Sequence, residues 1–189
     1  DGIWDADLTT NKFYYSARWR QMLGLTYKAM GDSFASWVAR THSDDQKSLR
    51  VTLAGHLKNK TPYFICEHRM LDQNGSYRWM LARGLAIRDR TGKATRIAGS
   101  LSDITESKLT EHRLLKNALY DTITNLPNRA LFTDRLIQAL TRSSRQPENL
   151  FALMFLDFDR FKLINDSHGH SFGDNILIKI GERLRDCVR

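Results

Sequence analysis

The apolar run Phe151–Leu156 ends in Asp157-Phe158-Asp159, two carboxylates two positions apart, with Lys162 five positions after the first and Asn165 eight. His168-Gly169-His170 and Gly173-Asp174 follow and lead into another helix. Carboxylates at the end of a buried strand suit a hard divalent cation, which takes oxygen ligands. A lysine beside them suits phosphate charge, and an amide together with a carboxylate suits the edge of a purine. Each piece alone has a plainer meaning. Asp-x-Asp after a strand is more often turn chemistry, His-Gly-His more often a loop, and a lysine on a short helix is usually only solvated. All of them in one register point to a metal, a triphosphate and a purine held at one strand end.

The elements that must position these groups follow from pattern. Leu150–Asp157 is almost wholly apolar, the signature of a strand covered on both faces. Its natural neighbours are absent from these residues, so its edges should be exposed, swapped with another chain or poorly ordered. A short helical turn through Asp166 and a helix from about Asp174 to Val188 come after it. Before it, Pro127 forces a non-helical turn ahead of a helix reaching about Arg145. Gln146-Pro147-Glu148-Asn149 is an ordinary loop.

Residues 1–105 read as a separate α+β module. Gly2–Leu8 and Lys12–Tyr15 alternate as strands. Ser16 suits an N-cap for a short helix ending at Gly24. A second helix carries Phe34 and Trp37, and Ser43 suits the cap of a third running to about Lys58. Tyr63–Leu71, Tyr77–Arg88 and Arg96–Ser102 are strands, the first pair joined by the Asn74-Gly75 hairpin signal. Along the middle strand the bulky Tyr77, Trp79, Leu81, Arg83, Leu85 and Ile87 share one face, with Ala82, Gly84 and Ala86 on the other. One face should be packed and the other curved around something small. From Asp103-Ile104-Thr105 a polar helix of about fifteen residues continues. Its apolar positions (Leu109, Leu114, Leu115, Ala118, Leu119, Ile123) hold no clean heptad, and it suits either pairing with its copy or packing on its own domain.

Composition narrows the classes. The net charge is +8 with no block of like charge, a solvated surface rather than a nucleic-acid arm. The two cysteines, Cys66 and Cys187, fall in different modules and fit a reducing, cytoplasmic setting. No apolar run approaches the roughly 20 residues that span a bilayer, although an anchor upstream of Asp1 stays open. Neither a Walker loop nor a Gly-x-Gly-x-x-Gly fingerprint occurs.

Two resemblances rest on these residues. Asp1-Gly-Ile-Trp4-Asp5, Tyr14-Tyr15-Ser16, Met22-Leu23-Gly24, His42-Ser43-Asp44-Asp45, Gly75-Ser-Tyr77-Arg78-Trp79 and Asp103-Ile104-Thr105, in that order, resemble a PAS sensory domain. Asp121-x-x-Thr124-x-Leu126-Pro127-Asn128-Arg129, then Asp157-x-Asp159-x-Phe161-Lys162-x-Ile164-Asn165-Asp166, then Gly169-His170-x-x-Gly173-Asp174 resemble the N-terminal half of a GGDEF, or diguanylate cyclase, domain. Tyr120 and Asn125 replace a frequent His and Gly there. The implied fold is α+β: a PAS-like antiparallel sheet with flanking helices over 1–105, a helical signalling linker over 106–120, and a truncated α/β palm-like GGDEF domain over 121–189. The hairpin that names the second family is absent from these residues.

The second resemblance implies an output that condenses two GTP into cyclic di-GMP. By motif position Asp157 and the Phe158 carbonyl would hold Mg²⁺, and the amides around Arg160 and Phe161 would meet the β- and γ-phosphates. Lys162 would neutralise the transferring group. Asn165 and Asp174 would read guanine, and His170 would help fix the nucleotide. Because the hairpin supplies the catalytic glutamate, residues 1–189 alone are expected to be inactive. A homodimer through the PAS-like part and the linker helix, with an Asp103–Arg83 latch between sheet and helix, is the expected arrangement. The alternative is a non-catalytic regulatory or dimerisation module, including one ahead of a phosphodiesterase domain. Arg183-x-x-Asp186 matches an inhibition-site pattern but lies in the wrong element. For the sensor, His42, His56, His68 and Cys66 are conceivable cofactor contacts, and an unknown small ligand or none is the expectation.

Overall fold

The computed structural model describes residues 1–26, 29–146, 148 and 150–187. Contacts divide it into two units, Asp1–Leu109 and Thr110–Arg189.

The first unit is organised by a five-stranded antiparallel sheet. Its strands are β1 (Gly2–Asp7), β2 (Lys12–Tyr15), β3 (Phe64–Leu71), β4 (Tyr77–Arg88) and β5 (Ala94–Asp103), in the order β2-β1-β5-β4-β3. Helices α1 (Ala17–Met22), α2 (Phe34–Arg40) and α3 (Ser43–Leu57) fill the connection between β2 and β3. Ser16 caps α1, accepting from the Trp19 amide, and Gly24 closes that turn at φ +67°, where a side chain is disfavoured. The third helix is capped by the His42 ring rather than by Ser43, which is its first residue; the ring nitrogen accepts from the Asp44 amide.

One row of the sheet explains the core. Tyr15, Trp4, Gly99, Gly84 and Phe64 lie opposite one another in turn across the five strands. The Trp4 indole lies over the two glycines. A Cβ at Gly84 would sit 2.7 Å from it, and so would one at Gly99. Its N–H donates to the Ser100 carbonyl at 3.0 Å, and its ring meets Trp37 and Phe64 edge-on at 5.2 and 5.9 Å. The small-residue face of β4 is therefore the packed one, covered by the chain's own tryptophan and not by a small ligand. Met80 and Ala82 face this core, whereas the bulky Tyr77, Leu85 and Ile87 stand exposed. With Trp4, Trp19, Trp37 and Phe64 fully buried on the inner side, that side has room only for small residues opposite them.

The second unit holds most of α4 (Thr105–Leu119), then α5 (Arg129–Arg145), α6 (Phe161–His168) and α7 (His170–Cys187). The helix expected from about Asp174 starts a turn earlier, at His170, and its expected end at Val188 lies outside the described residues. So do Pro147 and Asn149 of the expected loop. Residues 150–158 form no strand. Backbone amides of a strand need a ladder partner, and among the described residues none is present for them. Leu150 and Phe155 are 89% and 87% exposed in consequence.

Candidate functional site

The turn between α4 and α5 fixes the frame of the second unit. Asp121 Oδ1 accepts from the Ile123 and Thr124 amides and from the Thr124 hydroxyl, at 3.2, 2.8 and 2.8 Å. These bonds hold its carboxyl below the usual range. Asn125 takes φ +54°, a conformation that asparagine tolerates where a glycine is frequent. Asn128 caps α5 through the Ala130 and Leu131 amides and donates back to the Ala118 carbonyl at 2.9 Å. This motif is a staple between two helices.

Those residues begin in the extended segment. Asp157 and Phe158 are exposed there, ahead of the left-handed Arg160 (φ +57°), which opens α6 without a side-chain cap. Phe161 and Lys162 form the first turn of α6, so their amides stand at a helix N-terminus, where negative charge is favoured. Asn165 lies one turn on. Gly169, at φ +83°, ends α6, and its amide donates to the Asn165 carbonyl at 2.8 Å. Helix α7 then carries His170 and Asp174 at i and i+4, on one face.

The fold brings Asn165 against Gly173, the residue before Asp174. A Cβ at Gly173 would lie 1.9 Å from Asn165 Oδ1. That oxygen is buried and has no hydrogen-bond partner. The Asp174 carboxylate, on the next residue, is exposed. Asp157 and the Phe158 carbonyl offer two hard oxygens. That fits Mg²⁺, which is held through one or two carboxylates together with substrate phosphates. Among the described residues no three His, Cys, Asp or Glu side chains gather as a metal cluster.

In the first unit the conceivable cofactor contacts are committed to structure. His68 Nε2 accepts from the Trp37 indole at 2.9 Å while Nδ1 pairs with the Cys66 carbonyl at 3.3 Å. Burial drives this ring toward its neutral form, down to about 4. His56 is spanned likewise, Nε2 accepting from the Ala86 amide and Nδ1 pairing with the Thr61 carbonyl. Burial pushes the Cys66 thiol up to about 11, away from a reactive thiolate. At the end of β5, Asp103 pairs with Arg78 at 3.2 Å rather than with Arg83, which lies opposite Ser100 in the ladder. Arg78 also holds Asp72, and Thr105 Oγ accepts from the Trp79 amide at 3.0 Å. Lys108 of α4 pairs with Glu67 at 2.8 Å and lies over the Trp79 ring. The acid is the one expected from sequence, but its partner is Arg78, five positions before the expected Arg83 on β4. Gly173 is part of the Gly169-His170-x-x-Gly173-Asp174 motif, but its close approach to Asn165 appears only in the packing of α6 on α7.

Comparison with known proteins agrees with this division. Residues 12–101 match the PAS fold and residues 118–189 match the diguanylate cyclase GGDEF domain. The chain thus joins a PAS domain to a GGDEF-family segment. The bifunctional diguanylate cyclase/cyclic di-GMP phosphodiesterase MucR of Pseudomonas aeruginosa is 47% identical over 76 residues, 40% of this chain and 11% of its own length. The uncharacterized protein y4lL of Sinorhizobium fredii is 28% identical over 93% of this chain and 22% of its own length. The chain therefore spans a minor part of both relatives. In structure, the N-terminal domain of a diguanylate cyclase with PAS/PAC sensor from Marinobacter aquaeolei matches with a TM-score of 0.52 at 22% identity. It covers 57% of this chain and 99% of that domain. Among the described residues no helix is long and apolar enough to cross a membrane.

Proposed function

We propose that the protein is a sensor-controlled diguanylate cyclase, with residues 1–105 as the input, 106–120 as the signalling linker and 121–189 as the nucleotide-binding part of the output. The observation that carries the reading is the buried, unpartnered Asn165 Oδ1 beside Asp174. In the reaction each GTP 3′-hydroxyl attacks the α-phosphate of the other, and pyrophosphate leaves. Such phosphoryl transfer depends on positioning and on neutralising charge. Asn165 and Asp174 would orient guanine and His170 would steady the nucleotide. The α6 amides near Arg160 and Phe161 would take the terminal phosphates, and Lys162 the charge on the transferring group. Asp157 and the Phe158 carbonyl would hold Mg²⁺, which supplies Lewis-acid charge when bound.

Two such sites must face each other, so a homodimer through the PAS part and α4 is the working assembly. Residues 1–189 hold no Gly-Gly-[Asp/Glu]-Glu-Phe run, and on this reading they bind GTP weakly without turning it over. The test is incubation of the chain with GTP and Mg²⁺. Bound nucleotide with no cyclic dinucleotide supports the reading, and product formation would overturn its assignment of the missing catalytic acid. The bifunctional relative favours a second reading, in which this segment regulates a phosphodiesterase without making product. Assay of the complete gene product for synthesis against hydrolysis separates the two.

A further inference from the structure

We propose that the corner of the first unit formed by the end of α3 and the β4–β5 turn is a docking surface for an anionic lipid bilayer. Lys58, Lys60, Arg90 and Lys93 meet the headgroup phosphates there, while Leu85 and Ile87 enter the interface between them.

Hydrogen bonds define the corner. The Arg88 guanidinium donates to the His56 and Leu57 carbonyls at the end of α3, at 2.7 and 2.9 Å, and to the Gly92 carbonyl in the turn at 3.2 Å. The Ala86 amide donates to His56 Nε2 at 3.0 Å across the edge of β4. One arginine, itself taken up by helix-end carbonyls, therefore brings the residue after Leu57, Lys58, near the residue after Gly92, Lys93. The Lys60 amide donates to the Gly55 carbonyl at 2.9 Å, which turns its loop back onto α3. Lys58, Lys60, Arg90 and Lys93 are all exposed, and among the described residues none of them forms an ion pair. The carboxylate of the turn, Asp89, is occupied by its own backbone, accepting from the Thr91 and Lys93 amides and the Thr91 hydroxyl. Between these cations the outer face of β4 offers Leu85 and Ile87 to solvent, 54% and 55% exposed, and Tyr63 ahead of β3 is 60% exposed.

Chemistry chooses the occupant. A second copy seated on the same patch about a two-fold axis would set these cations against one another. A nucleic acid brings phosphates but no apolar layer for Leu85 and Ile87 to enter. An anionic bilayer brings both, phosphates for the cations and an interface that takes aliphatic and tyrosine side chains. Stable attachment without a spanning helix takes two such signals together. The placement also leaves the output end free. Strand β5 runs from Ala94, beside this turn, to Asp103, and α4 starts at Thr105, so the bilayer and the root of α4 lie at opposite ends of a strand about 30 Å long.

The experiment is co-sedimentation of the chain with vesicles of phosphatidylglycerol and phosphatidylcholine in equal parts, and of phosphatidylcholine alone, at about 0.1 M salt. Partition onto the anionic vesicles only is the expected result. Lys93→Gln should weaken it about fivefold, and Leu85→Ser with Ile87→Ser together about tenfold. Arg18→Gln, which removes the same charge from the cleft beside Asp103, should leave it unchanged. Absence of partition, or equal losses from Lys93→Gln and Arg18→Gln, would overturn the proposal. So would unaltered binding by the Leu85→Ser, Ile87→Ser form together with equal affinity for a DNA duplex, which would mark a surface for polyanions at large. A measurement on the unaltered chain needs no variant to fold. Bicelles of the same lipids carrying a spin-labelled lipid should broaden the amides of residues 85–93 and spare those of 100–105, and the opposite pattern, or none, overturns the claim.

Discussion

The two units put similar apolar content to opposite use. In residues 1–109 every strand has its ladder partners, and Trp4, Trp19, Trp37 and Phe64 close a buried core. In residues 110–187 a run as apolar as any strand, Leu150–Leu156, has no partner and stays exposed, and α4, α5 and α6 bury no residue. Hydrophobic sequence is thus not sufficient for burial; a strand must first satisfy its backbone. What the second unit does organise is local: the Asp121 turn, the Asn128 cap, and the close approach of α6 to α7 at Gly173. Its candidate chemistry sits on that local order.

Core substitutions should break this comparison most sharply. Trp4→Ala removes the indole that covers Gly84 and Gly99, at a cost of about 3–5 kcal/mol. Phe155→Ala in the exposed run should change stability by less than about 0.5 kcal/mol. Denaturant melts followed by tryptophan fluorescence report both, and equal effects would erase the contrast.

A smaller effect comes from pH and belongs to the first unit alone. The folded state holds His68 near 4, against about 6.5 for a free imidazole. Protons then bind the unfolded chain preferentially, so this stability is complete above about 6.5 and is lost as pH falls toward 4. The loss amounts to about 3 kcal/mol at most. Asp45, Asp72 and Asp103, held low mainly by bonds to Arg69, Ser76 and Thr105, should add losses only at more acid pH. Denaturation midpoints at pH 7.5 and 4.5, with an NMR titration of the His68 ring, check the sign. A midpoint that does not fall with acidity contradicts it.

The smallest effect concerns the end of the sheet. Arg78→Ala releases both Asp72 and Asp103 and should cost about 1 kcal/mol, since the pair is partly exposed. Arg83→Ala, on the residue facing Ser100, should be silent. Thermal melts of the two variants rank them, and the reverse ranking would restore the latch expected from sequence.

Much of this was legible in the sequence, because local signals acted locally. Ser16, the Asn74-Gly75 turn, Pro127 and the start of α5 work where their chemistry says. What sequence could not reveal depended on pairing partners. The register of β5 against β4 decides that Asp103 meets Arg78. The cross-sheet row decides that the small residues of β4 lie under Trp4 while its bulky ones face outward. The apolar run at 150–156 reads as a strand by composition, but strand formation belongs to the pair and not to the segment. The contact of Gly173 with Asn165 was hidden for the same reason, since it spans the α6–α7 joint.

The most direct measurement is an amide NMR titration of the chain with GTP and with ATP, each with and without Mg²⁺. The account predicts Mg²⁺-enhanced shifts for GTP centred on Phe161, Lys162, Asn165 and Asp174, with the resonances of the PAS unit unmoved and ATP markedly weaker. Shifts that ignore these residues, or that are the same for both nucleotides, would contradict a guanine-nucleotide site at the α6–α7 joint.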